Sequence, residues 1–389
     1  MPPHTRGMIV RDFLIWMETA PAERRAEATH ALCRAYLYAD VDEETRNAME
    51  AALTLLLDDP SADVRLALAD TLGSSDHAPR HVIVTLATDQ ADIAELVLSR
   101  SPLFIDAELV DIAAAVTGRL QSAIARRPVV SHAVAASISE VGDRDACLAL
   151  LDNPGATVAR ISFRRIAERF AEDFAVRDAL LARKDLPADV HQRIIRAVGD
   201  QLGNLIVQKA WVPENRAKAV IRDACDRATV AIAAETETQE LAALVEHLRV
   251  TEQLTTALLL RAVCAGNVAF FEAALAALSG APLRRISSLV RAGRIPGLRA
   301  AYAKAGLPPL AFDAFAAALE TWRRAAGEGG PKDKYRFTMQ MVDAVIARYT
   351  NITDGEVNEL TAMLRRFAAD QAREAARDFA KAAVAAEAA

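Results

Sequence analysis

The sequence predicts an all-α protein in which helical hairpins stack into a solenoid, and three observations support this. Hydrophobic residues make up 52% of the 389 residues but aromatic residues only 5%. Ala and Leu predominate among the apolar residues, as is typical of closely packed helices. Alternating Val, Ile, Thr and Tyr segments bounded by Asn-Gly or Asp-Gly turns do not occur, so we expect almost no strand. A helical-hairpin pattern also recurs along the first half of the chain.

The first clear hairpin lies at residues 55–73. Its first helix should stop at Asp58-Asp59-Pro60, and Ser61 or Asp63 can cap the next helix by accepting its free backbone N–H groups. Residues spaced four apart then fall on one face of the second helix: Val64, Leu68 and Leu72.

This four-residue apolar step recurs after polar or Pro-containing breaks, beginning at Val64, Ile93, Val134, Val158 and Val190. These positions are 29, 41, 24 and 32 residues apart. A single hairpin cannot bury its apolar face without a stacked neighbour, so an irregular period of this size indicates a solenoid.

The remaining helices define the predicted domain organisation. Three helices should precede the hairpins, at 8–18, 21–38 and 42–57, and the hairpins should end near residue 202, between Gly199 and Gly203. Longer helices follow, at 213–234, 237–249, 252–265, 267–279, 282–292, 297–305 and 308–326. A linker at 327–334 then precedes a helix at 334–350 and a last helix that Thr353 and Glu356 begin as a capping box. We therefore divide the chain into residues 1–202, 203–326 and 327–389.

One segment of the C-terminal half resembles a known family. It contains Leu258-Leu259-Leu260-Arg261-Ala262, Gly266-Asn267 and Phe270-Phe271-Glu272-Ala273-Ala274-Leu275, and Ala305-Gly306-Leu307-Pro308 follows. The combination resembles an uncharacterised bacterial family of HEAT-like helical-repeat proteins, catalogued as a domain of unknown function, over roughly residues 45–325. The resemblance implies a HEAT-like N-terminal half and a helical C-terminal half, and it assigns no catalytic residue.

Composition and motifs argue against several functions. The net charge of −6 disfavours a protein that coats nucleic acid by bulk attraction. The four cysteines are far apart and form no Cys-x-x-Cys pair. Phosphate-loop, dinucleotide-binding and hydrolase motifs do not occur. We therefore expect a non-enzymatic protein without cofactor or metal. The sequence also offers no membrane span, and we expect a cytoplasmic location.

Arg261 and Glu272 lie in apolar segments of successive predicted helices. If these helices pack antiparallel, the two side chains can meet as a partly buried ion pair, because buried charge is tolerated when it is paired. The alternative is a pair that binds a ligand.

Two groups of arginines are candidates for binding an acidic partner or another anion. Residues 273–312 contain six cations and no Asp or Glu, and the candidates there are Arg284, Arg285, Arg291 and Arg294. In the hairpin half, second helices usually line the concave face of a HEAT-like solenoid, and they carry Arg160, Arg164 and Arg165. Ordinary solvated faces are the alternative for both groups.

The predicted function is an interaction scaffold that binds protein partners through a HEAT-like concave surface and a C-terminal basic patch. A nucleic-acid-binding protein and a sensor of an anionic small molecule are the alternatives. The long C-terminal helices can either fold back on their own chain or form a homo-oligomer.

Overall fold

Helices account for all the regular structure in the described part of the chain. The computed structural model describes residues 13, 15–209, 211–327, 334–349 and 355–387. It is 77% helical, and these residues contain no β-strand, only an isolated bridge between Val130 and Ala156. The prediction of an all-α protein is confirmed.

The chain forms two compact units, Met1–Leu186 and Pro187–Ala389. The predicted division after residue 202 falls inside a helix of the second unit, Ala188–Gln208. The predicted linker at 327–334 and the Thr353–Glu356 capping box lie largely outside the described residues.

In chain order, the helices of the first unit are α1 (Ala22–Tyr38), α2 (Glu43–Leu55), α3 (Ala62–Leu72), α4 (Arg80–Leu86), α5 (Ala91–Arg100), α6 (Asp106–Ala115), α7 (Arg119–Ala125), α8 (His132–Val141), α9 (Arg144–Asp152), α10 (Arg160–Arg169) and α11 (Phe174–Ala182). Those of the second unit are α12 (Ala188–Gln208), α13 (Glu214–Glu235), α14 (Thr238–Val250), α15 (Thr256–Cys264), α16 (Val268–Ser279), α17 (Leu283–Arg291), α18 (Ile295–Lys304), α19 (Phe312–Gly327), α20 (Lys334–Tyr349) and α21 (Gly355–Glu387).

Alternate helices of the first unit pack side by side. One row runs through α1, α3, α5, α7, α9 and α11, and a second runs through α6, α8 and α10. The predicted anchors Val64, Ile93, Val134 and Val158 are buried between them. The fifth anchor, Val190, is buried in the second unit. On its helix the apolar step continues to the buried Ile194 but not to Val198, which is 40% exposed.

Side chains that follow one helix of the first row cap the preceding helix of that row. After α7, the buried Arg127 donates to the carbonyl oxygens of Leu98, at 2.7 Å, and Ser101, at 2.6 Å, at the end of α5. After α9, Asn153 donates to two carbonyls at the end of α7. After α11, Arg183 donates to three carbonyls at and beyond the end of α9. The last carbonyls of a helix have no intrahelical partner, so these contacts satisfy groups that packing removes from water.

The second unit is organised around α15 and α16. Their side chains join α14, α18 and α19 in one apolar core. Within this core, Phe271 stacks on Phe315 at 5.1 Å between ring centroids, and Tyr302 packs edge-on against Phe312 at 5.2 Å.

Local signals begin and end α16 within one residue of the predicted range of 267–279. The Asn267 side chain accepts a hydrogen bond from the Phe270 amide at the start of α16, and Gly280 ends that helix with a left-handed φ of 65°. Ser61 differs from the prediction: it precedes α3, but its side chain makes no capping hydrogen bond. Instead, Asp59 accepts from the Ser61 amide at 2.8 Å.

The C-terminal helices fold back on their own unit. Met363, Leu364, Phe367 and Ala368 of α21 are buried in its core, as is the apolar face of α20. Asp370 of α21 also pairs with Arg227 of α13. This packing uses the first half of α21, and a homo-oligomer formed through the C-terminal helices stays a prediction.

Arg127→Ala should lower the free energy of unfolding of the first unit by about 2–4 kcal/mol, because it leaves two buried carbonyls without a donor. The neighbouring Arg126 is exposed, so Arg126→Ala should change it by less than about 0.5 kcal/mol. Urea denaturation of both variants measures the difference. Equal effects would show that the capping contacts contribute no net stability.

Candidate functional site

A buried arginine lies at the centre of the most distinctive polar cluster in the second unit. Arg261 of α15 has only 1% of its surface exposed. Its Nη1 donates to the Asp223 backbone carbonyl at 2.7 Å, and its Nη2 pairs with the Asp223 carboxylate. The guanidinium also lies 5.7 Å from the centroid of the Phe367 ring. This single side chain therefore links helices α13, α15 and α21.

The predicted pairing of Arg261 with Glu272 is wrong. The partner of Arg261 is Asp223, which lies 38 residues earlier on α13. Glu272 is buried on α16 and accepts a hydrogen bond of 2.6 Å from the Ser287 hydroxyl on α17. Both residues are buried and link neighbouring helices. They do so through different contacts, because Arg261 binds Asp223 and Glu272 binds Ser287.

A cavity of about 530 Å³ opens beside Arg261. Its walls come from α13, α15, α21 and the turn at 308–311. The charged residues that line it are Arg222, Asp223, Asp226, Arg261 and Arg366. Ala257, Leu310, Ala311 and Met363 supply apolar wall. Mostly apolar walls with a few converging polar groups are characteristic of small-molecule sites, which range from about 300 to 1,000 Å³.

Asp226 is the most perturbed carboxyl group of this cavity. Burial, helped by nearby Asp223, raises its pKa to about 6 against the opposing effect of Arg261 and Arg222. No hydrogen bond to its carboxylate is found among the described residues. An ionised carboxylate that lacks such bonds and is partly removed from water costs stability.

The candidate arginines of the C-terminal half form an exposed patch, which we call the α17 patch: Arg284, Arg285, Arg291 and Arg294. They surround the buried Ile286 and Val290, which attach α17 to the core. Within the described chain, no carboxylate lies within ion-pair distance of any of the four. The nearby Arg299 differs, because it pairs with Asp313 at 3.1 Å and covers the Phe312 ring at 4.2 Å.

The candidate arginines of the hairpin half are placed differently. Arg165 pairs with Glu140 of α8 at 2.8 Å. Arg160 and Arg164 are half-buried, and each takes part in interactions of its own. These three side chains therefore already contribute to the packing of the first unit. They lie in a different unit from the α17 patch.

The cysteines are part of the helical cores. All four are buried and free, and burial raises the pKa of Cys33 and Cys264 to about 12 and that of Cys147 to about 11. A thiol is a poor nucleophile when its thiolate is so disfavoured. Over the described ranges, no group of three or more His, Cys, Asp or Glu side chains is placed to hold a metal ion.

The fold and the cavity define an all-helical protein of two units, with a polar pocket and an exposed arginine patch in the second. The chain belongs to the DUF2336 family, described as an uncharacterised protein conserved in bacteria, whose model matches residues 93–354. This match confirms the resemblance seen in the sequence. It includes Asp223, Asp226, Arg261 and the α17 patch, and it ends before α21. No curated protein sequence matches the chain.

Among the helices that the structure describes, none is long and apolar enough to cross a bilayer.

Asp226→Asn should stabilise the second unit at pH 8 and have little effect near pH 4. The folded state holds the Asp226 proton up to a pKa of about 6, whereas the unfolded chain releases it near 4. The free energy of unfolding of the wild type therefore falls by up to about 3 kcal/mol as the pH rises through this interval. Water in the open cavity screens the charge and makes the loss smaller. Asparagine carries no such penalty. Thermal denaturation of both proteins at pH 4 and pH 8 measures the difference in stability between them.

The exposed Asp343 provides the control, since Asp343→Asn should shift stability by less than about 0.5 kcal/mol. An effect of Asp226→Asn that is the same at pH 4 and pH 8 would contradict the assignment of the perturbed carboxyl.

Proposed function

We propose that the protein is a non-enzymatic interaction scaffold that binds an acidic segment of a protein partner through the α17 patch. The observation that carries the proposal is the set of four exposed arginines at 284–294 without a carboxylate partner in the described chain. Many other arginines of the protein are engaged, for example Arg25 with Asp59 at 2.8 Å and Arg65 with Asp89 at 2.6 Å. An unneutralised cluster on a chain of net charge −6 favours an acidic ligand.

The chemistry of the patch suits carboxylates. Each guanidinium presents a planar set of donors that a carboxylate can accept two at a time. Arg284 and Arg291 are seven residues apart, two turns of α17, and so lie on the same face. Leu283 is 44% exposed beside them. An acidic segment with an apolar side chain would match both features.

A protein partner is favoured over nucleic acid because the patch offers no stacking surface. Tyr302 is the single aromatic residue of α17 and α18, and it is buried in the core. Proteins that bind single-stranded nucleic acid combine cations with exposed aromatic rings on which bases stack. Nucleic-acid binding through phosphate contacts alone remains the alternative, as does a small anion bound at the patch.

We further propose that the first unit is a HEAT-like superhelix that gives the scaffold its second binding surface. Two features support this. Alternate helices pack in rows, as equivalent helices of successive hairpins do in such a solenoid. Arg127, Asn153 and Arg183 cap successive helices of one row and are 26 and 30 residues apart, so the same capping contact recurs with each helical hairpin, at a shorter spacing than the roughly 40–47 residues of HEAT repeats.

The test compares Arg284→Glu/Arg291→Glu with the matched double reversal Lys218→Glu/Arg249→Glu, at two exposed sites on α13 and α14. The probes are a fluorescent 20-residue peptide rich in Glu and Leu and a single-stranded DNA 20-mer, in about 50 mM salt. Fluorescence anisotropy should show that the wild type binds the peptide. The patch variant should lose at least tenfold in affinity, and the control variant should keep it.

Three results would overturn the proposal. If the wild type does not bind the peptide, or if the control reversal weakens binding as much as the patch reversal, the α17 patch is not a specific site for acidic segments. If DNA binds more tightly than the peptide, the nucleic-acid alternative replaces it.

A further inference from the structure

We infer that the cavity beside Arg261 binds a guanine nucleotide, whose base donates hydrogen bonds to Asp226 and whose phosphate contacts Arg222 and Arg366. The inference concerns a different surface from the α17 patch. It therefore stands or falls independently of the proposed scaffold function.

The first argument for the class of ligand is that the carboxylate of Asp226 receives no hydrogen bond from a described residue. It faces a cavity of about 530 Å³ without a hydrogen bond from any described residue, although Arg261 and Arg222 are near enough to influence it electrostatically. An ionised carboxylate has two oxygens that accept hydrogen bonds side by side. A ligand that satisfies it needs two adjacent donors.

The edge of guanine supplies that pattern, because its ring N1–H and its exocyclic amino group point in the same direction. Adenine places an amino donor beside ring nitrogens that are acceptors, and these would repel a carboxylate. The ionised form of Asp226, which predominates at neutral pH because its pKa is about 6, therefore selects guanine over adenine.

The rim of the cavity supplies the cations that a phosphate requires. Arg222 on α13 and Arg366 on α21 are both exposed and both line the cavity. In the part of the chain that the structure describes, neither makes an ion pair. Arginine is well suited to phosphate, because its planar donors contact two phosphate oxygens at once.

The start of α15 adds to this environment. Thr256 and Ala257, the first two residues of this nine-residue helix, line the same cavity. The first amide N–H groups of a helix have no intrahelical acceptor, and the helix dipole favours negative charge there. Together with the two rim arginines, the start of α15 gives the cavity the positive environment that a phosphate requires.

The apolar wall suits the body of the base. Leu310, Ala311 and Met363 line the cavity together with Ala257. A planar base that lies against aliphatic side chains removes apolar surface from water while its polar edge reaches Asp226. In the wall of the cavity, Arg261 is held by Asp223 and keeps the charged residues in place. Its role is to position them rather than to contact the ligand.

The experiment uses the full chain and isothermal titration calorimetry with GMP, GDP, AMP and inorganic phosphate. We expect saturable binding of GMP or GDP, with at least tenfold weaker binding of AMP and of phosphate alone. Arg366→Ala should weaken GDP binding at least tenfold. Arg249→Ala, at an exposed site on α14 outside the cavity lining, should leave it unchanged.

Asp226→Asn tests recognition of the base directly. The asparagine amide presents one acceptor and one donor, so this variant should lose guanine binding and gain xanthosine monophosphate, whose base has a carbonyl in place of the amino group. A residue with a merely structural role would not exchange one base for the other. The substitution should not unfold the protein, because it removes a buried charge.

Four results would overturn the inference. The first three are the absence of GMP or GDP binding at millimolar concentration, equal affinity for GMP and AMP, and unchanged guanine binding in Asp226→Asn. Equal binding of phosphate alone and GDP would likewise show that the cavity reads an anion and not a base.

Discussion

The second unit depends on the buried ion pair between Arg261 and Asp223. A guanidinium that is 99% removed from the surface is tolerable only when a nearby carboxylate and hydrogen-bond acceptors compensate for its lost hydration. Asp223 provides both, because its carboxylate and its backbone carbonyl accept from the same guanidinium. The pair therefore fixes α15 against α13, and Phe367 brings α21 over it.

The cavity lies beside this ion pair. Helices α13, α15 and α21 form its walls around the charged residues, whereas Phe271, Phe315 and Tyr302 pack ring against ring in the core. Asp226 has no hydrogen-bond donor among the described residues. Perturbed pKa values of this kind cluster at functional sites in proteins. The family match covers these residues of α13 and α15, so they lie in the part of the chain that defines the family.

Local signals made most of the fold predictable. Asn267, Gly280 and Pro282 act within one turn of chain, so the limits of α16 and the start of α17 follow from the sequence. The partner of Arg261 could not be predicted, because Asp223 lies 38 residues away on a helix whose orientation depends on tertiary packing. The cavity was also missed, since its lining comes from four separate segments. The sequence could not identify Asp226 as a perturbed carboxyl group, because it cannot be told apart in sequence from an acidic residue on an exposed helix face.

The most direct test of the central claim is a double-mutant cycle on Arg261 and Asp223, read by chemical denaturation of the full chain. Asp223→Ala should lower the free energy of unfolding by about 3–5 kcal/mol, because it leaves the buried Arg261 without a carboxylate partner. Arg261→Met should cost less, because Asp223 still has Arg227 at 3.7 Å. The double variant should be less destabilised than the sum, with a coupling of at least about 1.5 kcal/mol. Strictly additive losses would contradict the account, since the two side chains would then stabilise the unit independently and the pair would not hold the cavity together.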